Sequence, residues 1–166
     1  MSVRAALLLL LVLGAARAQK DGYAWTSGRL AVVFPDEPQS SSQTTKDGLM
    51  KTGLLLRDRR LFMVQVVETP PAEKRTEAKA LALLVKGRNL LAPKAKVVAE
   101  TKDNLAGGHL GRQWLLQRPD KQYIRLRLYL VGDDLVGVLV AGPKKEDVAK
   151  DDAKAFLDSL RIDKKK

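Results

Sequence analysis

The chain has 166 residues, 30 of them Lys or Arg and 19 Asp or Glu, a net charge of +11, with one His and no Cys. That length suits a single domain with a core of ordinary size. Without cysteine there is no disulfide framework, no thiol nucleophile and no thiolate metal ligand, so stability has to come from packing.

The N-terminus reads as an export signal. Arg4 is followed by the apolar run Ala5 to Ala16, and Ala16-Arg17-Ala18 matches the small-x-small cleavage pattern. The run is too short to span a bilayer comfortably. Cleavage between Ala18 and Gln19 would leave 28 basic residues against 19 acidic, a balance of +9, and no transmembrane segment in the mature chain. Such a charge favours anionic partners. The expected organisation is a signal peptide at 1–18, one domain at 19–163 and a basic tail at 164–166.

Residues 20–28 form a short lead-in, and Arg29 to Pro35 read as a strand stopped by proline. The polar stretch that follows is a loop with a weak edge strand in Ser41 to Thr45. Leu49–Leu56 and Leu61–Val67 are two apolar runs around the charged turn 57–60, which predicts a hairpin with Asp58–Arg60 solvated. Pro70 and Pro71 end strand pairing. Composition then shifts to Ala, Glu, Lys and Leu, strong helix formers. Ala78, Leu81, Ala82 and Val85 recur at helical spacing as the expected buried stripe, with Gly87 and Asn89 as end signals.

Residues 94–103 predict a strand. Asn104 to Trp114 then concentrate rare residues, with His109 among Gly107, Gly108 and Gly111. A dinucleotide fingerprint needs G-x-G-x-x-G between a strand and a helix; here the spacing is G-G-x-x-G and a strand follows, so the glycines predict a tight turn. A zinc site normally takes three or four protein ligands, usually several of them His or Cys, so one His without Cys argues against one, and no G-x-S-x-G elbow supplies a nucleophile for it. The serines at 40–42 carry no sign that they approach His109. Neither Asp133-Asp134, in a turn, nor Asp151-Asp152, diverging on a helix, reads as a carboxylate dyad. No cofactor, metal or catalytic residue is assigned.

Residues 112–131 predict two strands about a turn at Asp120-Lys121. The second alternates, with Ile124, Leu126, Leu128 and Leu130 on one face and Tyr123, Arg125, Arg127 and Tyr129 on the other. Two guanidiniums between two rings can meet an anionic or ring-bearing ligand, which makes these four the candidate binding residues. The alternative is that their stems and rings only cover the sheet. Gly132 to Asp134 turn the chain into Leu135–Gly142, apolar on both faces as in a strand covered on both sides. Ala149, Ala153, Phe156 and Leu160 mark one face of a last helix, with Glu146 and Asp147 in its first turn. Trp25 and Trp114 are expected in the core. The order of elements is α+β, two main helices on a mainly antiparallel sheet.

The residues "VVFPDEP", "GGHLGRQW", "YIRLRLYLVGDDLVGVLVAGP" and "AFLDSLRI", in this order across Trp25 to Ile162, resemble the PsbP-like group, named for an extrinsic subunit of photosystem II. The most specific parts are Gly108 to Arg112, the Gly132–Asp134 turn and Phe156 to Leu160. The resemblance implies an α/β/α sandwich with a central antiparallel sheet and a non-catalytic binding or assembly role. No metal-binding histidines can be matched, and the photosynthetic function is not carried over. The resulting expectation is an exported, non-enzymatic module of the periplasm, cell envelope or medium. Its partner would be an unknown envelope protein. An anionic polymer or membrane surface is the alternative, and a hydrolase with an unrecognised site comes last. Export and the lack of an RNP-like motif argue against nucleic acid.

Overall fold

The computed structural model describes residues 22–46, 48–69, 75–105 and 107–163; the expected signal segment, Pro70, Pro71 and the lysine tail lie outside them. Seven strands make one antiparallel sheet. In chain order they are β3 (Gln39–Thr45), β4 (Gly48–Arg57), β5 (Arg60–Glu68), β6 (Lys96–Lys102), β7 (Gly111–Gln117), β8 (Tyr123–Val131) and β9 (Asp134–Gly142). Their spatial order is β3-β4-β5-β9-β8-β7-β6, which puts β9 at the centre and β3 and β6 at the two edges. A second sheet holds β1 (Tyr23–Ser27), β2 (Leu30–Phe34) and β10 (Arg161–Ile162), in the order β1-β2-β10. Helix α1 (Glu77–Leu91) follows β5, and helix α2 (Asp151–Asp158) follows β9 after the 3-10 turn Asp147–Ala149.

Local chemistry explains the hairpins. Asp58 and Arg59 both have positive φ, 51° and 61°, the pair of values a two-residue type I′ turn needs to match strand twist. Gly132, at φ 64°, plays the corresponding part between β8 and β9. The predicted glycine turn is present as well. Gly107 and Gly108 have φ of 94° and 77°, and Leu105 bridges His109 across them.

Each face of the large sheet carries its own core. On one side Leu84, Trp114, Leu116, Ile124, Leu126 and Leu128 pack with α1. On the other, Phe62, Val64, Val138, Val140, Phe156 and Leu157 pack with α2 and the small sheet. β9 is buried along Val136–Gly142, as expected for a strand covered twice. The architecture is therefore the expected α+β sandwich, with its second outer layer shared between α2 and a three-stranded sheet.

Four expectations need correction. Residues 23–27 are strand β1 rather than a lead-in, because they pair with β2 and bury Trp25 over the large sheet. α1 buries Ala80, Leu84 and Gly87, and of the expected stripe Leu81 is half-buried against the same core while Ala78, Ala82 and Val85 face outward. The helix also runs through Gly87 and Asn89 to Leu91, because Gly87 is a close-packing position. A Cβ there would stand 2.9 Å from Leu135 Cδ2. Third, Lys150 adopts extended geometry and divides the last helix, so Val148 is buried where Ala149 was expected. Ala153, Phe156 and Leu160 are buried as predicted. Fourth, Arg60 is 4 % exposed and belongs to the interior.

Candidate functional site

β8 enters beside the β7–β8 turn with Tyr123 and leaves at the opposite end of the sheet with Val131, so its polar face is a line from one end to the other. That face looks toward α2. The inner pair of the line is enclosed by partners. Arg127 Nε donates to Gln113 Oε1 at 2.7 Å and lies 3.2 Å from Asp103 Oδ2. Its Nη1 donates to the Leu157 carbonyl at 3.0 Å and pairs with Asp158 at 2.8 Å. Tyr129 is 2 % exposed and its hydroxyl donates to Asp103 Oδ2 at 2.6 Å. Burial, with Asp103 beside it, pushes that phenol well above the ordinary tyrosine range. This network joins the loop before β7 to the end of α2. Gly111 makes room for it: the Tyr129 ring lies across the space where a Cβ would be.

The outer pair is different. Tyr123 is half-buried, and its hydroxyl accepts from Gln117 Nε2 at 3.0 Å. Arg125 is half-buried; its Nε is enclosed without a hydrogen-bond partner, and among the described residues no carboxylate pairs with it. The four predicted residues thus lie on one face in the expected register, two inside a closed network and two toward the β7–β8 turn.

Sequence reasoning missed the second internal ion pair. Arg60 donates twice to Asp152, at 2.6 and 2.7 Å, and lies 5.3 Å from the Phe62 ring centre. Hydrogen bonding to Arg60 holds the Asp152 carboxyl below its usual range. Adjacent opposite charges such as Asp58 and Arg59 suggested a solvated turn, and a partner 92 residues away leaves no local signal.

The chemically versatile side chains are far apart. Ser40, Ser41 and Ser42 are on edge strand β3, and His109 is in the β6–β7 connection at the other edge. Strand spacing of about 4.8 Å makes that separation roughly 25 Å or more. The serines line an open groove of about 450 Å³ with Tyr23, Trp25 and Lys51. A cavity of about 190 Å³ between the two sheets is lined by Ser27, Arg29, Glu68 and Asp134. Burial raises the Asp134 carboxyl above its usual range. Among the described residues no group of three or more His, Asp or Glu could hold a metal ion, and no helix is long and apolar enough to cross a membrane.

No family model and no curated protein matches the sequence. Its fold does match a solved one. The solution structure of cyanobacterial PsbP (CyanoP) from Synechocystis sp. PCC 6803 superposes with a TM-score of 0.57 at 8 % identity, over 86 % of this chain and 92 % of that one. The chain has the PsbP-like fold.

Proposed function

We propose that this chain, with its PsbP-like fold, is an exported, non-enzymatic binding or assembly module of the cell envelope. The observation that carries the reading is the placement of the reactive side chains. Ser40–Ser42 and His109 stand at opposite edges of the sheet, whereas nucleophilic catalysis needs nucleophile and base within hydrogen-bond reach. The non-catalytic role implied by the PsbP-like resemblance agrees with this. Within the Tyr123, Arg125, Arg127, Tyr129 face, Arg127 ties α2 to the sheet, Tyr129 ties in the loop before β7 through Asp103, and Tyr123 with Arg125 offers the contact to a partner.

Crosslinking of the chain from Gln19 in its native envelope fraction tests the reading. A discrete partner adduct is expected, weakened by Arg125→Ala and Tyr123→Ala. Robust substrate turnover by the purified protein, abolished by His109→Ala, would overturn it.

A further inference from the structure

Helix α1 has two apolar faces. Ala80, Leu84 and Gly87 are buried against the sheet. Ala78, Ala82 and Val85, at i, i+4 and i+7, form a second, narrow stripe that points to solvent, with Val85 39 % exposed; Leu90, 68 % exposed, lies beyond Lys79 and Lys86 around the same outer side. A surface helix ordinarily carries polar residues on its outer side, so an apolar outer stripe marks a surface that meets something less polar than water.

The charge of the same layer says what. Residues 75–95 carry five cations, Arg75, Lys79, Lys86, Arg88 and Lys94, against the single acid Glu77. Among the described residues Lys79, Lys86 and Lys94 have no acidic partner, while Arg75 pairs with Asp133 at 3.3 Å. The opposite layer, residues 22–38 and 143–163, carries six cations against eight acids. The outer layer that holds α1 is thus basic and the outer layer that holds α2 slightly acidic. An anionic surface would attract the first and repel the second, and so orient the whole domain. An apolar hollow of about 170 Å³ opens on the basic side, lined by Lys86, Leu90 and Leu135 among others.

We infer that the α1 face docks on an anionic phospholipid surface, with α1 lying in the plane of the headgroups. Lys79 and Lys86 meet phosphates, Val85 and Leu90 enter the acyl boundary, and the hollow beside Leu90 receives a methylene segment. Exposed apolar side chains on either side of a pair of lysines supply both the buried area and the charge that hold a helix at such an interface. A soluble polyanion would use the lysines and leave Val85 and Leu90 in water, which is why lipid is favoured. The inference rests on the envelope location proposed above but uses a different face from Tyr123 and Arg125.

Vesicle co-sedimentation of the chain from Gln19, which retains every described element, tests it. Binding to phosphatidylglycerol vesicles is expected, with little to pure phosphatidylcholine. Each lysine near an anionic membrane is worth about fivefold in partitioning, so Lys79→Gln/Lys86→Gln should weaken binding roughly 25-fold. Val85→Ser/Leu90→Ser should weaken it several-fold at unchanged charge. Lys144→Gln/Lys154→Gln, on the opposite layer, should leave it unchanged, with unaltered circular dichroism for all three variants. The inference is overturned if vesicles are not bound, if the opposite-layer variant loses as much, or if Val85→Ser/Leu90→Ser binds normally and polyphosphate competes fully. The partner adduct is read separately through Arg125→Ala, so either proposal can fail while the other stands.

Discussion

Arg60 shows how far a residue's surroundings can differ from its neighbours in sequence. It is flanked by the exposed Asp58 and Arg59, yet its guanidinium is enclosed by Asp152 and the Phe62 ring. Removing one partner of such a pair leaves an uncompensated charge. Asp152 is partly solvated, which moderates the cost, so Arg60→Ala should lose about 2–4 kcal/mol in urea denaturation. The pair also sets an acid limit. The folded pKa of Asp152 is depressed, so its contribution is present above the unfolded carboxylate pKa of about 3.9 and is lost as pH falls through the lower folded value. Asp152→Asn should flatten that acid loss in melting curves taken against pH. Asp134 has the opposite sign: its folded pKa is raised by burial, so stability is lost as pH rises through the folded value. Asp134→Asn should therefore raise the melting temperature at neutral pH, and the gain should vanish below about pH 3.5, where both states hold the proton. The sequence supplied the four Tyr–Arg face residues by alternation alone. It could not say that Asp103 and Asp158 enclose Arg127, since those acids come from a loop and a helix end that only folding brings near.

Among the elements, strands were easier to read than helix faces. β8 has one apolar and one polar side, and period-two alternation assigns both. α1 is apolar on two sides, so periodicity offers two stripes of similar quality, and the one at Ala78, Ala82 and Val85 points outward. The sheet selects the other because Gly87 lets the helix approach Leu128 and Leu135 closely. The two registers make different predictions. Leu84→Ala should cost about 2–5 kcal/mol, as for a fully buried leucine. Val85→Ala should stay within about 0.5 kcal/mol, as for an exposed site. Equal losses on denaturation would place the helix in the wrong register. β1 and β10 were missed for a related reason. β1 is short and paired on one side, and β10 is two residues defined wholly by its partner β2.

At the scale of the whole molecule, the two cores share β5, β8 and β9 as a common wall, so neither should unfold alone. Trp25 lies in one core and Trp114 in the other. Trp25→Phe and Trp114→Phe each leave a single reporter, and each reporter's fluorescence midpoint should coincide with that variant's own circular dichroism midpoint. Separate midpoints would mean two cooperative units. Composition and alternation by themselves determined the class of fold, the hairpins, the glycine turn at Gly107-Gly108 and the twice-covered central strand, because each depends on residues adjacent in the chain. Tertiary structure alone decided which stripe of α1 is buried, where Arg60 and Arg127 find their acids, and that Ser40–Ser42 and His109 stand apart. Those outcomes depend on which strands lie side by side in the sheet. That order is set by packing between segments distant in sequence, where local periodicity carries no information.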